Sequence, residues 1–452
     1  MPYHLSHHNF RKRGIVPMSN NIIKTLDYKG KYIIFEDDVD EVYMNLVRTL
    51  IYKGTLTYVP DACEHCGAVN EDYTIVKNGK RKTMVKLLSN QGTPCFLELH
   101  KQRFFCRQCQ SSFVAKTSYV KKHCHFSNRL IFKLISQCEE PRSCKGIARE
   151  YQISTTSVIR YINQHAENIK LRPLNDLPEH IMVDEFKSVK HVDGKMSFIF
   201  CDSDTHEIVD ILPNRKKQAL FDYFIRFDRK SRKKVKTITM DMHQPYIDLF
   251  KQLFPNAKII LDRFHLIQAL NRELNRVRIR LMNQLKTSNP RLYRKLKKFW
   301  KLILKPSEDL DGNKYSYQRL FKGFESQQSI VNYILNQVPE LKEVYTQVNR
   351  LRALIMHHKA DLFVEQINQY LNNSDIDKGL KRVINSFKDY LPEIINTLNH
   401  PTRSNGAIEA MNNNIKVLKR VAYGFRNFYN FRNRILITYK LFGKKQNQDQ
   451  IA

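Results

Sequence analysis

Apolar positions repeat at different periods along this 452-residue chain, and the period changes mark its parts. Over residues 128–138, Leu130, Ile131, Leu134 and Ile135 fall on one helical face. Pro141 and Ser143 restart the chain, and Ser143 is placed to cap a helix over 145–151 with Ile147, Ala148 and Tyr151 inward. After a turn at Ile153-Ser154, Val158, Ile159 and Ile162 form the inner face of a helix over 155–164. Thr155, Thr156, Ser157, Arg160 and Tyr161 are then outward, able to reach base edges or phosphates. Two short helices joined this way fit a helix-turn-helix unit, although an ordinary helical hairpin carries the same pattern.

From residue 181 the pattern turns to short β-branched runs. Residues 181–192, 196–201 and 207–212 read as strands separated by the turns Asp193-Gly194 and Asp204-Thr205-His206. An amphipathic helix over 219–227, a strand over 236–240 ending at Asp241, a helix from Tyr246 that stops at Pro255 and a strand over 257–261 ending at Asp262 follow. Three antiparallel strands, helix, strand, helix, strand is the order of a ribonuclease H-like fold. Residues 263–400 are helix-rich: Ile267, Leu270, Leu274, Val277, Leu281 and Leu285 step by three or four. Ahead of these parts, residues 1–60 are mixed, with a strand-like run at 31–35 and an acidic turn at 37–41. Met18 is a candidate start, which would make the first seventeen residues a leader.

Charge changes this picture. Lys and Arg number 76 against 44 Asp and Glu, a net charge of +32, which suits a polyanionic partner better than a metabolic substrate. Residues 213–236 hold ten basic side chains. Residues 272–301 hold eleven against the single acid Glu273, and 410–448 hold no acid. Such runs are often only solvated faces; flanking candidate catalytic acids, they suit phosphate tracking. Lys416, Lys419, Arg420 and Arg426 are the DNA-binding candidates of the last run. Tyr423, Phe425, Phe428, Tyr429 and Phe431 between those cations suit base stacking or core packing. There is no Gly-rich phosphate loop and no apolar run long enough for a membrane span.

Of nine cysteines, four form two C-x-x-C pairs, Cys63-Glu-His-Cys66 and Cys106-Arg-Gln-Cys109. Two such knuckles can place four thiolates around one Zn²⁺, which implies a reducing compartment. Two unrelated reduced pairs are the plainer alternative.

Three acids match the places that a ribonuclease H-like sheet gives to divalent-metal phosphoryl transfer: the first strand, the end of the fourth strand and a later helix. Asp184, Asp241 and Glu409 occupy them, and oxygen ligands suit Mg²⁺ or Mn²⁺. Asp184 lies in the apolar run Ile181-Met-Val-Asp, where an unpaired carboxylate is costly. Asp241 could be a turn residue and Glu409 a solvated helix residue. Glu185 points to the other strand face, Asp202, Asp204 and Asp210 rank lower, and Asp262 is placed to cap a helix. His265 either orients the site or simply packs.

Four runs carry a family resemblance: Val183-Asp-Glu-Phe with Gly194-Lys-Met-Ser-Phe; Ile238-Thr-Met-Asp-Met with Pro245-Tyr; Asn256-Ala-Lys-Ile-Ile-Leu-Asp-Arg-Phe-His265; and Ser404-Asn-Gly-Ala-Ile-Glu-Ala-Met-Asn-Asn-Asn-Ile-Lys, continuing to Lys419-Arg-Val-Ala-Tyr-Gly-Phe-Arg-Asn-Phe. The chain resembles transposases of the bacterial ISL-three insertion-sequence family, which have an Asp-Asp-Glu core. The resemblance matches Asp184, Asp241 and Glu409 to the three catalytic acids and the helical stretch to an insertion domain. It implies an N-terminal segment (1–60), a zinc-binding module (61–115), a helix-turn-helix domain (121–166), a linker (167–180), a core in two parts (181–265 and 401–445) and a helical insertion (266–400). The fold expected is multidomain, α+β and α/β. The function implied is Mg²⁺-dependent cleavage and strand transfer at terminal inverted repeats. Double-stranded DNA, of element and target, is the partner, the assembly is a homodimer or larger, and the place is the bacterial cytoplasm at the nucleoid. A non-enzymatic zinc and helix-turn-helix regulator, and a ribonuclease H-like nuclease without strand transfer, are the alternatives.

Overall fold

The computed structural model describes residues 19–169, 173 and 175–441; the candidate start at Met18 and part of the expected linker lie outside them. The chain forms two compact units. One comprises the residues up to Ile169 with Val417–Phe425 and those from Tyr429 on; the other comprises Lys170–Lys416 and Arg426–Phe428.

In the first unit, α1 (Ser19–Thr25) leads into β1 (Ile33–Met44), β2 (Val47–Leu56), β3 (Ile75–Lys86), β4 (Cys95–Cys106) and β5 (Ser112–Val114). The sheet order is β1-β2-β4-β3, with β5 also on β4. Residues 33–56 therefore share a sheet with the strands around the cysteine pairs. The acidic run at 37–41, expected as a turn, lies inside β1. A register shift between Phe35 and Val39 absorbs it, and Val39 to Met44 pair with β2. Cross-strand cations explain why strand wins there: Lys53 reaches Asp40 at 2.8 Å and Arg48 reaches Glu41 at 2.7 Å. Leu56, Val85, Leu97, Leu99 and Phe104 form the buried face.

Three helices follow, α2 (Asn128–Ser136), α3 (Cys144–Glu150) and α4 (Thr155–Glu167). Each begins at a serine, Ser127, Ser143 or Ser154, whose hydroxyl accepts an amide of the first turn. Such a cap contributes about 1 kcal/mol. Leu134, Ile147, Val158 and Ile162 meet in their shared core. Thr155, Thr156 and Arg160 are exposed and Ser157 is half-buried, as an outward face requires. Tyr161 departs from that expectation. It is 2% exposed, and its ring lies 5.5 Å from Phe126, inside the helical cluster. The helical period puts 158, 161 and 162 on one side, and that geometry outweighs the hydroxyl that made Tyr161 read as polar.

The second unit opens with β6 (His180–Lys187), β7 (Met196–Asp202) and β8 (Ile208–Leu212), then α5 (Lys217–Phe224), α6 (Arg229–Lys234), β9 (Thr237–Met240), α7 (Gln244–Leu253) and β10 (Lys258–Leu261). The strands line up β10-β9-β6-β7-β8. β6, β7 and β8 pair antiparallel, whereas β9 joins β6 and β10 joins β9 in parallel. β6 ends at Lys187 and not at 192, because the chain turns back through Gly194, whose φ is +63°. The basic α6 was not expected; Asp228 caps it. The long α8 (Arg263–Ser288) leads to α9 (Pro290–Lys298), α10 (Trp300–Leu304), a hairpin of β11 (Ser316–Gln318) and β12 (Gly323–Glu325), and then α11 (Gln327–Gln337), α12 (Pro339–Met356), α13 (Ala360–Asn372), α14 (Lys378–Asp389) and α15 (Leu391–Asn399). α16 (Gly406–Val421) follows, and α17 (Phe428–Leu436), in the first unit from Tyr429 on, leads to a π-helical turn at Ile437–Leu441.

Not every cation of the basic runs faces solvent. Arg278 is buried and donates to the Leu296 carbonyl at 3.0 Å. Lys295 is buried between the rings of Phe321 and Tyr333, 3.9 and 3.8 Å from their centroids. In the first unit Arg434 of α17 is 1% exposed and donates to the carbonyls of Cys138 and Glu140 beyond the end of α2. Phe431 is buried against Phe425, with centroids 4.7 Å apart, so packing claims that pair, while Tyr423 stays exposed.

Candidate active site and metal centre

The cysteine pairs converge. Cys63 and Cys66 lie in the loop between β2 and β3, and Cys106 and Cys109 span the turn from β4 to β5. Tight local turns aim the thiols: the Gly67 amide donates to the Cys63 carbonyl with Gly67 at φ +76°, and the Cys106 amide donates to the Ser111 carbonyl across Gln110 at φ +55°. Cys63 Sγ lies 3.7 Å from Cys109 Sγ, and Cys66 Sγ 3.8 Å from Cys106 Sγ. All four sulfurs are within 4.8 Å of one another. Tetrahedral Zn–S bonds of about 2.3 Å place sulfurs about 3.8 Å apart, so the set fits zinc. Four thiolates at this spacing without a cation would repel strongly.

The acids gather at one end of the other sheet. In the parallel pairing of β6 with β9, Met182 faces Thr239. The pairing ends there; Asp184 lies two residues further along β6 and Asp241 just past the end of β9, close enough for its charge to act on the Asp184 carboxylate. α16 brings Glu409. Asn405, just ahead of it, donates to the Val183 carbonyl at 3.2 Å, and Asn412 donates to Asp184 Oδ2 at 2.7 Å. Asn405 and Asn412 bracket Glu409 by four and three residues, one helical turn either way, so they hold its helix against β6. That spacing was visible in the sequence, but nothing in it said that β6 was the partner.

Asp241 accepts from His265 Nε2 at 3.0 Å, and Glu409 Oε1 lies 4.0 Å from the same nitrogen. The hydrogen bond to Asp241 holds the imidazole above its usual pKa. Asp262 does cap α8 through the Phe264 amide, and it also stands with Asp241 and His265, their ligand atoms within 4.8 Å. Burial pushes its carboxyl up. Burial, together with the charges of Asp241 and Glu409, pushes Asp184 up to about 6 despite the Asn412 amide. Glu409 is raised too, by burial and by Asp262.

Asp184, Asp241 and His265 line a cleft of about 460 Å³ together with Arg215 and Arg272 among others, and Glu409 and Asp262 adjoin its wall at His265. Glu185 also lines it but is engaged by Arg215 and the Tyr246 hydroxyl. The other sheet acids are committed elsewhere. Asp202 accepts amides of its own turn, Asp204 pairs with Arg403 and Asp210 accepts from Tyr223 at 2.8 Å. Of the remaining candidates, Lys416, Arg420 and Arg426 are exposed and Lys419 is half-buried.

Known proteins resemble both parts of the chain. A zinc-finger model of the transposases IS204, IS1001, IS1096 and IS1165 matches residues 60–109, spanning all four cysteines. The Bordetella parapertussis transposase for insertion sequence element IS1001 is 23% identical over 337 residues, 73% of this chain and 78% of that protein. A Lactococcus lactis protein named ATP-dependent protease is 38% identical over 108 residues, 24% of this chain and 34% of that one. The ISL3 transposase model, with its Asp-Asp-Glu core, matches residues 181–435, more than half of the chain. The chain belongs to the ISL3 family of insertion-element transposases.

Proposed function

We propose that this transposase cuts the ends of its own insertion element and joins them to target DNA by divalent-metal phosphoryl transfer, with Asp184, Asp241 and Glu409 as the ligands. The single observation that carries the reading is the convergence of three acids, 57 and 168 residues apart in sequence: Asp184 and Asp241 line one cleft, Glu409 comes within 4.0 Å of the His265 nitrogen that Asp241 accepts from, and burial with the charges of Asp241 and Glu409 pushes Asp184 up to about 6. Such a carboxylate is costly unless a cation answers it, and hard oxygen donors fit Mg²⁺ or Mn²⁺. The strand order β10-β9-β6-β7-β8 supports a ribonuclease H-like core interrupted by the helices of 266–400.

When bound, two such ions supply an activated nucleophilic oxygen and neutralise charge on the leaving oxygen. The chain's own residues set the stage. Asn412 fixes the Asp184 carboxylate, and His265 steadies Asp241 by hydrogen bonding. Arg215 and Arg272 line the same cleft and meet strand phosphates. In the other unit, Thr155, Thr156, Ser157 and Arg160 on α4 are the base- and phosphate-reading candidates for the terminal inverted repeats, without Tyr161. Lys416, Lys419, Arg420 and Arg426 add backbone contacts. Pairing of two element ends calls for a dimer or larger assembly, acting where chromosomal DNA lies.

The test uses duplexes copied from the DNA flanking the reading frame. With Mg²⁺ the protein cuts them at a defined position and joins the 3′ end to plasmid. Asp184→Asn, Asp241→Asn and Glu409→Gln each abolish both steps while DNA binding persists. Cutting by all three variants at the wild-type rate would defeat the proposal. Cutting without joining would leave a nuclease.

A further inference from the structure

Resting on that reading, we propose that the cleft continues into an arginine-lined groove between α8 and α14 that holds the DNA strand by its phosphates, about two to three nucleotides from the cut. A second cavity of about 240 Å³ adjoins the first, and both are lined by Met242, Ala269 and Arg272. Its further walls include Arg276 from α8 and Arg382 and Ser386 from α14. The two cavities differ in charge. The first holds the acids. The second has three arginines against one carboxylate, Glu273, which is buried and already paired with Arg276 at 2.5 Å. Glu273 is wedged at the start of α14, where a Cβ on Gly379 would fall 1.8 Å from its Oε1. It therefore orients Arg276 and neutralises little beyond it. Arg382 is exposed, with no carboxylate partner among the described residues. With Glu273 committed to Arg276, Arg272 and Arg382 leave the void two positive charges that an entering anion would answer.

The spacing says which anion. His265, Arg272 and Arg276 stand at i, i+7 and i+11, one face of one helix. At 1.5 Å per residue, Arg272 lies about 10 Å and Arg276 about 16 Å beyond His265. Phosphates of one strand advance about 3.4 Å per nucleotide along the duplex axis while winding around it, so successive ones are about 7 Å apart in space. A strand whose scissile phosphate meets the acids then has its second and third neighbours within reach of the arginines. The cations fall where no metal is needed, and the carboxylates fall where one is.

The strand belongs either to the element end or to the target, and the experiment separates them. Binding is measured with Ca²⁺ in place of Mg²⁺, on the flanking-DNA duplex and on a plasmid-derived target duplex, for the full chain and for Arg272→Ala, Arg382→Ala and Arg382→Lys. Each alanine variant is expected to weaken binding about five- to tenfold on the duplex that occupies the groove. Each should also lower the slope of log Kd against log salt by about 1, while Arg382→Lys keeps the wild-type slope. Single neutral methylphosphonate linkages about two to three nucleotides from the cut should weaken wild-type binding by a similar factor and add nothing in the alanine variants. Loss on the flanking duplex assigns the element end, and loss on the plasmid duplex assigns the target. Unchanged slopes, or the same methylphosphonate pattern in wild type and variants, would overturn the groove. If the wild type binds with these slopes but never cuts in Mg²⁺, the groove stands and the catalytic reading falls.

Discussion

The protein builds two clusters of ligating side chains on opposite plans. The four thiols come from turns, two knuckles facing each other at 3.7 and 3.8 Å, with Cys63 and Cys106 buried. They can close around one soft ion and leave it no free position. The carboxylates come from a strand, the end of another and a helix; Asp184 and Asp241 border an open cleft of about 460 Å³ and are held by neutral or cationic donors, Asn412 and His265. The first plan suits an ion that holds a fold together. The second suits ions that must also meet a substrate, so ligands are oriented by neighbours and left uncovered.

The comparison is best broken by removing ligands one at a time. Cys106→Ser should have the largest effect on folding. Zinc content falls from one per chain to none, and the 57–74 loop and the β4–β5 turn become protease-sensitive; zinc contributes on the order of 10 kcal/mol to small metal-dependent folds. Full zinc retention in this variant would undo the closed-site account. Next, Asp184→Asn, Asp241→Asn or Glu409→Gln should slow Mg²⁺-dependent DNA cutting about a thousandfold, equivalent to about 4 kcal/mol, with circular dichroism unchanged.

The third effect runs in the stabilising direction. Folding raises the Asp184 pKa to about 6 from an unfolded value of about 4. Above pH 6 the group is ionised in both states and the fold carries the whole penalty. As pH falls through 6 toward 4 the folded state takes up the proton first, and the penalty disappears. In buffer without Mg²⁺ or Mn²⁺, Asp184→Asn should therefore be more stable than wild type at pH 7.5, by at most about 3 kcal/mol, and equal to it near pH 4. Chemical denaturation at the two pH values checks this, and an advantage independent of pH would count against it. Added Mg²⁺ should stabilise the wild type alone. The smallest effects sharpen the account of α4. Arg160→Ala should weaken DNA binding by about 1 kcal/mol, whereas Tyr161→Phe, buried against Phe126, should leave affinity within about 0.5 kcal/mol of wild type in a titration at fixed salt.

Local patterns were legible wherever one period governed a stretch. The helices over 128–164 with the Ser143 cap, the strands from 181 onward and the long α8 follow from spacing alone, because a helix or strand face repeats within a few residues; the Ser127 and Ser154 caps appear only in the structure. The two C-x-x-C pairs likewise announced their chemistry, since thiols three apart can share an ion in any fold that brings the pairs together. What the sequence could not supply was partnership across distance. The acidic 37–41 run became strand because β2 put Lys53 and Arg48 opposite it. Tyr161 turned inward because Phe126 and the helical cluster were there to receive it. Asn405 and Asn412 became supports because α16 packs along β6, more than two hundred residues earlier. Arg278, Lys295 and Arg434 left the surface because carbonyls and rings from other elements satisfied them. Periodicity is a property of neighbours in the chain; burial, ion pairing and the gathering of like charges depend on which distant elements meet, and only the folded molecule decides that.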